Sequence, residues 1–535
     1  MSGAPSIVQR RIAITALACV LAFALIGVRL LDLTLLRARS AIAAFPSAHV
    51  VASRADIVDR NGLLLARDLI VHDVSVQPYL LADRAAAARD LGMATGVNAQ
   101  RLLHQFAEHD KPNQFVLIAR QVTPDIEDRL TGLALPGLEF DPAMKRFYPQ
   151  DRAAGQVLGQ TDADGRGLTG VELGLDRQLR AGRSVQLSLD MRVQFALAHE
   201  VEAAREQYNA KAAGGIVINV NTGEILAMAS LPDAASDLGD GAAGANPTRN
   251  RMLRDIYELG SVFKIFAFTL AVQDHTIRLD ETFRIGSGFR IGRYTIHDAE
   301  HMPATLAARD ILAQSSNAGT AQIALRSGPE RQQAFLRTMG LLSPVHSEDP
   351  EGAKPLFPRR WGQTETATVG FGHGISVSPL SFVTAAAMVV NGGRRITPTF
   401  LKRSGDARGE QVISPEASAT MRGLLRYVVT NGTGRLADIQ GYDVGGKTGS
   451  AEKIEHGRYV AHKLLTSFCA VFPIDDPRYL VFVLLDEPHG ANASGVMALA
   501  GHTAAPLAGR VVARIAPMLE MPTDAPMLAE AGGSP

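Results

Sequence analysis

The sequence predicts a mixed α/β sandwich that follows a smaller N-terminal module and an apolar N-terminal segment. Three observations predict it. Apolar strand runs occur at both ends of the larger part of the chain: GGIVINVNTGEILAMAS (214–230) near its start, SFCAVFPI (467–474) and YLVFVLLD (479–486) near its end. Helical patterns fill the interval, and a sheet assembled from both ends of a module with helices between is an α/β layer arrangement. At 535 residues the chain exceeds one ordinary domain, so two or three folded units are expected.

Taken in order, Arg10 and Arg11 precede the uncharged run IAITALACVLAFALIGV (12–28), with further leucines to Leu36. A run of this length with its basic end leading reads as a membrane anchor over 12–36, residues 1–11 being cytoplasmic and the rest of the chain outside. Ala41-Ile42-Ala43 fits a signal-cleavage pattern, but the apolar run is long for a signal peptide. Arg29, Asp32, Arg37 and Arg39 also separate it from that site. RADIVDRNGLLLARDL (54–69) reads as strand, turn at Asn61-Gly62, and strand. Alanine- and leucine-rich helical patterns alternate with short extended pieces to about residue 140. A Gly/Asp-rich passage (161–179) closes the module, giving 37–180 for the first unit and 181–518 for the second. The second opens with VQLSLD and a helical pattern from Met191 to Tyr208, followed by a hairpin about Asn221-Thr222-Gly223. Residues 519–535, rich in Pro, Ala and Gly, read as a disordered tail.

Lys+Arg and Asp+Glu both total 54, so no net field draws nucleic acid to the chain. Cys19 and Cys469 stand 450 positions apart, and Cys19 lies in the apolar run, so no intrachain bridge is expected.

Three short motifs could carry chemistry. In YELGSVFKIF, Ser261 and Lys264 stand three apart at a helix start, so the lysine nitrogen can reach the serine oxygen. A serine hydroxyl needs an adjacent base, and a lysine serves only when burial and a neighbouring positive charge lower its pKa. Alone, the pair also reads as an N-cap serine before an ordinary surface lysine. In DILAQSSNAGTAQIA, Ser315 could pass a proton and Asn317 could hold a peptide amide, or the stretch could be a polar turn or cap. In GYDVGGKTGSAEK, Lys447 and Thr448 could bind a carboxylate, with Gly449 letting a ligand approach the backbone.

Three further patterns argue for other chemistry and are set aside. Gly441-x4-Gly446-Lys447-Thr448 fits a P-loop, but no strong strand leads in and Gly449 falls where a helix should start. HDAEH (297–301) fits a zinc signature that needs a helix, which Pro303 disfavours, so no metal is expected. Asp56, Asp59 and Glu172 could suggest glycoside cleavage; among arginines in turn-like sequence they read as structural ion pairs.

The order of the motifs is more specific than any one of them. Ser315 follows Ser261 by 54 positions and Lys447 follows Ser315 by 132, the SxxK, SxN, KTG set of penicillin-binding proteins and class A β-lactamases. With RADIVDRNGLLLA, RFYPQDRAAGQVLGQTD, GRGLTGVELGLDRQL, RNRMLRDIYELGSVFK and GFGHGISVSPLSFVTAAAMVVNGG, the chain resembles the class B penicillin-binding proteins from the anchor to about residue 515. SSN and HGISVSPL resemble the division-type members more than the elongation type. Leu259, Val262, Ala55 and Ser450 depart from commoner family residues, but none of them removes a reacting group.

The resemblance implies a penicillin-binding-protein/serine β-lactamase-like transpeptidase domain, a mixed sheet flanked by helices, behind an elongated pedestal. It implies that Ser261 attacks the penultimate D-alanine of a peptidoglycan stem peptide, with Lys264 as base and Lys447 keeping Lys264 partly neutral. Ser315 would relay the proton to the leaving amine, Asn317 would hold the peptide, and Thr448 with Lys447 would hold the substrate carboxylate. Backbone N–H groups of Ser261 and Ser450 would form the oxyanion hole. An amine of a second stem peptide would take the acyl group, without any cofactor. β-Lactams would acylate Ser261, and a glycan polymerase, FtsW by resemblance, and other division proteins would be partners at the septum. A carboxypeptidase, a β-lactamase or sensor, an elongation transpeptidase, and a membrane scaffold whose catalytic-looking module is inert are the alternatives.

Overall fold

The computed structural model describes residues 17, 20–27, 53–232, 249–405, 409–455, 458–489 and 499–523. The chain divides into two compact units, Met1–Ser53 and Arg54–Pro535. In the first, Val20 to Gly27 are helical and Val20, Leu21, Phe23, Leu25 and Ile26 are exposed. Most of the expected anchor lies outside the described residues. Among the described residues no helix is long and apolar enough to cross a membrane.

The second unit begins with a sheet of β1 (Ile57–Val58), β2 (Leu64–Val76), β3 (Val116–Val122) and β4 (Leu138–Phe147), with β5 (Val185–Gln186) joining at β1. The Asn61-Gly62 turn forms as expected: Gly62 has φ 89°, and Asp59 Oδ1 accepts the N–H groups of Asn61 and Leu63, each at 2.8 Å. Helices α1 (Arg84–Thr95), α2 (Ala99–Glu108) and α3 (Pro124–Gly132) accompany this sheet. Asp83 and Asn98 cap α1 and α2 through their side chains.

The larger part opens on α4 (Met191–Gln207), then the hairpin β6 (Ala212–Asn219) and β7 (Ile225–Leu231), with Gly223 at φ 76° in its turn. Next come α5 (Lys264–Gln273), α6 (Ala308–Ala313), α7 (Asn317–Ser327), α8 (Pro379–Val390) and α9 (Pro415–Asn431). Strands β8 (Gly445–Glu455), β9 (Arg458–Phe472) and β10 (Tyr479–Asp486) and helix α10 (Ala504–Ile515) complete it. The central sheet runs β8-β9-β10-β6-β7, so strands from both ends of the segment do meet. Its four pairings are antiparallel; parallel pairing enters the molecule between β1 and β5.

Strand β10 shows why its sequence is an unbroken apolar run. Leu480, Phe482 and Leu484 enter one core with α5, α8 and α9, while Val481, Val483 and Leu485 enter another with α4 and α10. Side chains alternate across a strand, so a sheet covered on both faces needs apolar residues at every position. Helices α5 and α8 are also mostly apolar and lie inside, with Lys264 and Thr269 of α5 and Ser381 and Thr384 of α8 as their buried polar residues.

The β1–β5 pairing and the Asp59 Oδ2–Met191 N hydrogen bond at 3.2 Å, which holds the first turn of α4, cross the expected boundary after residue 180. Of the expected tail, residues 519–523 are described: Met521 is buried, and Leu519 packs with Met518 on the α4–α10 core.

Candidate active site

Ser261 lies in a short 3-10 turn, Gly260–Phe263, that runs directly into α5. Neither the turn nor α5 has a side-chain cap, so the Ser261 hydroxyl is not spent on capping. Gly260 has φ 58°, and a Cβ on it would stand 2.6 Å from Ser450 O, so the turn is pressed against β8. Gly449 serves the same contact from the strand side. Its Cβ would meet Leu259 O and Ser467 Oγ at 2.6 Å, so this glycine makes room for the nucleophile turn rather than for a ligand.

Lys264 and Lys447 are both 0% exposed. Lys264 Nζ donates to Ser315 O and, at 3.1 Å, to Ser315 Oγ. Lys447 Nζ donates to the same Oγ at 2.9 Å, and to Thr448 O and Oγ1 at 3.0 and 3.2 Å. The two lysines thus meet on one hydroxyl, and no hydrogen bond joins Lys264 Nζ to Ser261 Oγ in this resting arrangement. Burial pushes the Lys264 ammonium well below its ordinary pKa, and the Lys447 charge pushes it further. Burial alone brings Lys447 down to about 7. Cys469, opposite Lys447 in the β8–β9 register, is fully buried and its thiol pKa is pushed up.

Ser315 reaches both lysines because its backbone is left-handed, φ 63°, where α6 ends. Ser316, not Ser315, is the cap: its Oγ accepts Gly319 N at 3.0 Å at the start of α7. The capping reading of the second motif thus falls on Ser316, which leaves the Ser315 hydroxyl to the two lysines.

In front of these groups lies a cavity of about 430 Å³, lined by Ser261, Ser315, Asn317, Thr448 and Ser450. Lys264 and Lys447 stand behind that wall. Ser450 Oγ accepts Ala500 N at 3.1 Å, which fixes the end of the KTGS segment. Thr433, not singled out in the sequence, bonds Thr448 Oγ1 at 2.7 Å and also lines the cavity. The turn-prone NGTG at 431–434 after a helical pattern was the signal for it.

The set-aside patterns resolve in structural terms. The P-loop match lies partly in strand β8, without the loop and helix a phosphate cradle needs. Residues 297–301 form no helix, and among the described residues no cluster of three or more His, Cys, Asp or Glu could hold a metal. Glu172 is buried between Arg54 (2.6 Å) and Arg146 (2.7 Å), and Asp56 pairs with Arg67.

Residues 213–513 match the penicillin-binding protein transpeptidase domain and residues 49–189 the penicillin-binding protein dimerisation domain. The Caulobacter vibrioides protein named "Probable peptidoglycan D,D-transpeptidase FtsI" is 39% identical over 88% of this chain and 82% of its own. "Probable peptidoglycan D,D-transpeptidase PenA" of Neisseria meningitidis is 30% identical over 82% of this chain and 81% of its own. The crystal structure of penicillin-binding protein 3 from Mycobacterium tuberculosis with aztreonam superposes with a TM-score of 0.67. It is 26% identical and covers 89% of this chain and 98% of its own. The chain belongs to the class B penicillin-binding proteins.

Proposed function

We infer that this chain is a peptidoglycan D,D-transpeptidase that works through an acyl-serine intermediate. One observation carries the assignment of residues: two fully buried lysines with lowered pKa values meet on Ser315 Oγ behind the partly exposed Ser261. Ser261 Oγ attacks the penultimate D-alanine carbonyl while Lys264, its ammonium pKa held well below the ordinary value by burial, takes the hydroxyl proton. Lys264 turns from Ser315 toward Ser261 as substrate fills the cavity, since catalytic hydrogen bonds often form only in the loaded site. The backbone N–H groups of Ser261 and Ser450 hold the developing oxyanion, and each such donor lowers the barrier by about 3 kcal/mol.

As the tetrahedral adduct collapses, the proton passes through Ser315 Oγ to the leaving D-alanine nitrogen. An amine of a second stem peptide then displaces Ser261 and forms the cross-link. Asn317 holds the donor peptide, while Thr448 and Lys447 hold its terminal carboxylate, which restores positive charge on Lys447. Division at the septum, with FtsW and other division proteins as partners and residues 12–36 as the membrane anchor, is the cellular setting. Support for that setting comes from the relative named FtsI and from the motif sequences.

The test is intact-mass analysis after incubation with a penicillin. A lasting adduct on the wild-type chain that is absent from Ser261→Ala is expected. Drug hydrolysis without an adduct, or an adduct that persists in Ser261→Ala, overturns the assignment.

A further inference from the structure

The loop after the strand Tyr294–Ile296 brings a carboxylate to the start of α7, and the reaction above does not use it. Asp298 Oδ2 accepts the Ser316 hydroxyl at 2.8 Å, and Oδ1 accepts Asn317 N and Ala318 N, the latter at 3.1 Å. Three donors from three successive residues thus converge on one partly buried side chain. The neighbouring Ala299, Glu300 and Met302 line the cavity, so the same loop forms one of its walls. Asn317 Nδ2 also reaches His297 O at 3.5 Å. Ser315, held left-handed at φ 63°, is the residue immediately before this cluster. A non-glycine residue in that region persists only where its surroundings over-determine it. Asp298 binds the next residue, Ser316, from eighteen positions away in sequence.

We propose that Asp298 is a positioning residue for acylation, which fixes Ser315 and Asn317 by binding the first turn of α7 and opposes, at Lys264, the charge of Lys447. The inference rests on the assignment of Ser261 and Lys264 above. The charged and titratable groups that face Lys264 are Lys447 on β8, His373 of the 371–375 stretch, and Asp298. Lys447 favours the neutral amine of Lys264, and Asp298 is the negative group that opposes it. His373 is pushed down to about 4, chiefly by burial, and is neutral at working pH. Removing the Asp298 charge therefore lets Lys264 shed its proton at lower pH.

The experiment is the rate of acylation of the full chain by a fluorescent penicillin, followed across pH for wild type, Asp298→Asn, Asp298→Glu and Ser261→Ala. For Asp298→Asn the plateau rate is expected to fall about 10- to 100-fold, the scale of an ångström-size misplacement. Its acidic limb is expected to move to lower pH. Asp298→Glu keeps the charge, so its limb should stay in place while its plateau falls. A reduced rate in Asp298→Asn with an unmoved limb marks a purely structural residue and overturns the proposal, as does a wild-type profile. Where Asp298→Asn does not fold, a wild-type plateau in Asp298→Glu overturns it. Failure of both variants to fold overturns it as well. Labelling of Ser261→Ala would instead remove the assignment on which the proposal stands, a distinct outcome.

Discussion

At the scale of residues, two buried lysines cost the fold stability that the reaction needs them to cost. The sign follows from proton binding. In the unfolded chain Lys447 holds its proton to an ordinary pKa of about 10.4, whereas in the folded chain it releases it near 7. Between those values the unfolded state binds more protons, so stability rises with pH through that window, by up to about 1.4 kcal/mol per pH unit. Lys264 contributes in the same direction. Lys447→Met is therefore expected to flatten the rise of urea-unfolding stability between about pH 8 and 10 by that amount, while abolishing acylation. An unchanged slope would show that Lys447 is not shifted. The residues proposed to react were legible in the sequence because SxxK, SxN and KTG are spaced patterns of distinctive types. Asp298 and Thr433 were not, because their roles depend on which loops meet in space. Asp298 was seen as part of a histidine pattern that suggested zinc, and only the non-helical backbone there reveals a carboxylate serving a helix start.

Elements were legible where periodicity and turn chemistry agreed. Asn61-Gly62 and Asn221-Thr222-Gly223 marked their turns, and the unbroken apolar β10 marked a strand covered on both faces. The extent of β9 was not legible from SFCAVFPI, because its first residues, RYVAHK, mix polar and apolar types without a period of two and are held in the strand by pairing with β8. The elements around β2 and β4 are joined by a buried charge cluster. Arg54 binds Glu172 and Asp176, Arg146 binds Glu172 and Asp68, and Asp68 also accepts Arg54 N at 2.6 Å. Arg54 and Arg146 are 2% and 3% exposed, so neither can turn to water if its partner is lost. Glu172→Ala should destabilise the chain by about 3–5 kcal/mol, the cost of stranding a buried charge, read as a lowered denaturation midpoint. A loss below 1 kcal/mol would mean the arginines find water.

For the whole molecule, strand β1, the Asp59 cap on α4 and the β1–β5 pairing make residues 54 onward one packed body, which composition alone did not reveal. Sequence reading saw a change of texture near residue 180; it could not see contacts that cross it. The septal setting is tested in cells: depletion of the protein should leave filaments that grow without dividing, and rounded cells would place it in elongation instead. Cys469 is sealed beside Lys447 with its thiol held in the protonated, unreactive form, and the other cysteine, Cys19, lies in the N-terminal apolar run. A chain beginning after that run therefore presents no reactive sulfur of its own. A cysteine placed at exposed Leu436, on the cavity rim, would be the single site that takes a maleimide dye, so that arrival of the donor peptide could be followed as a change in fluorescence.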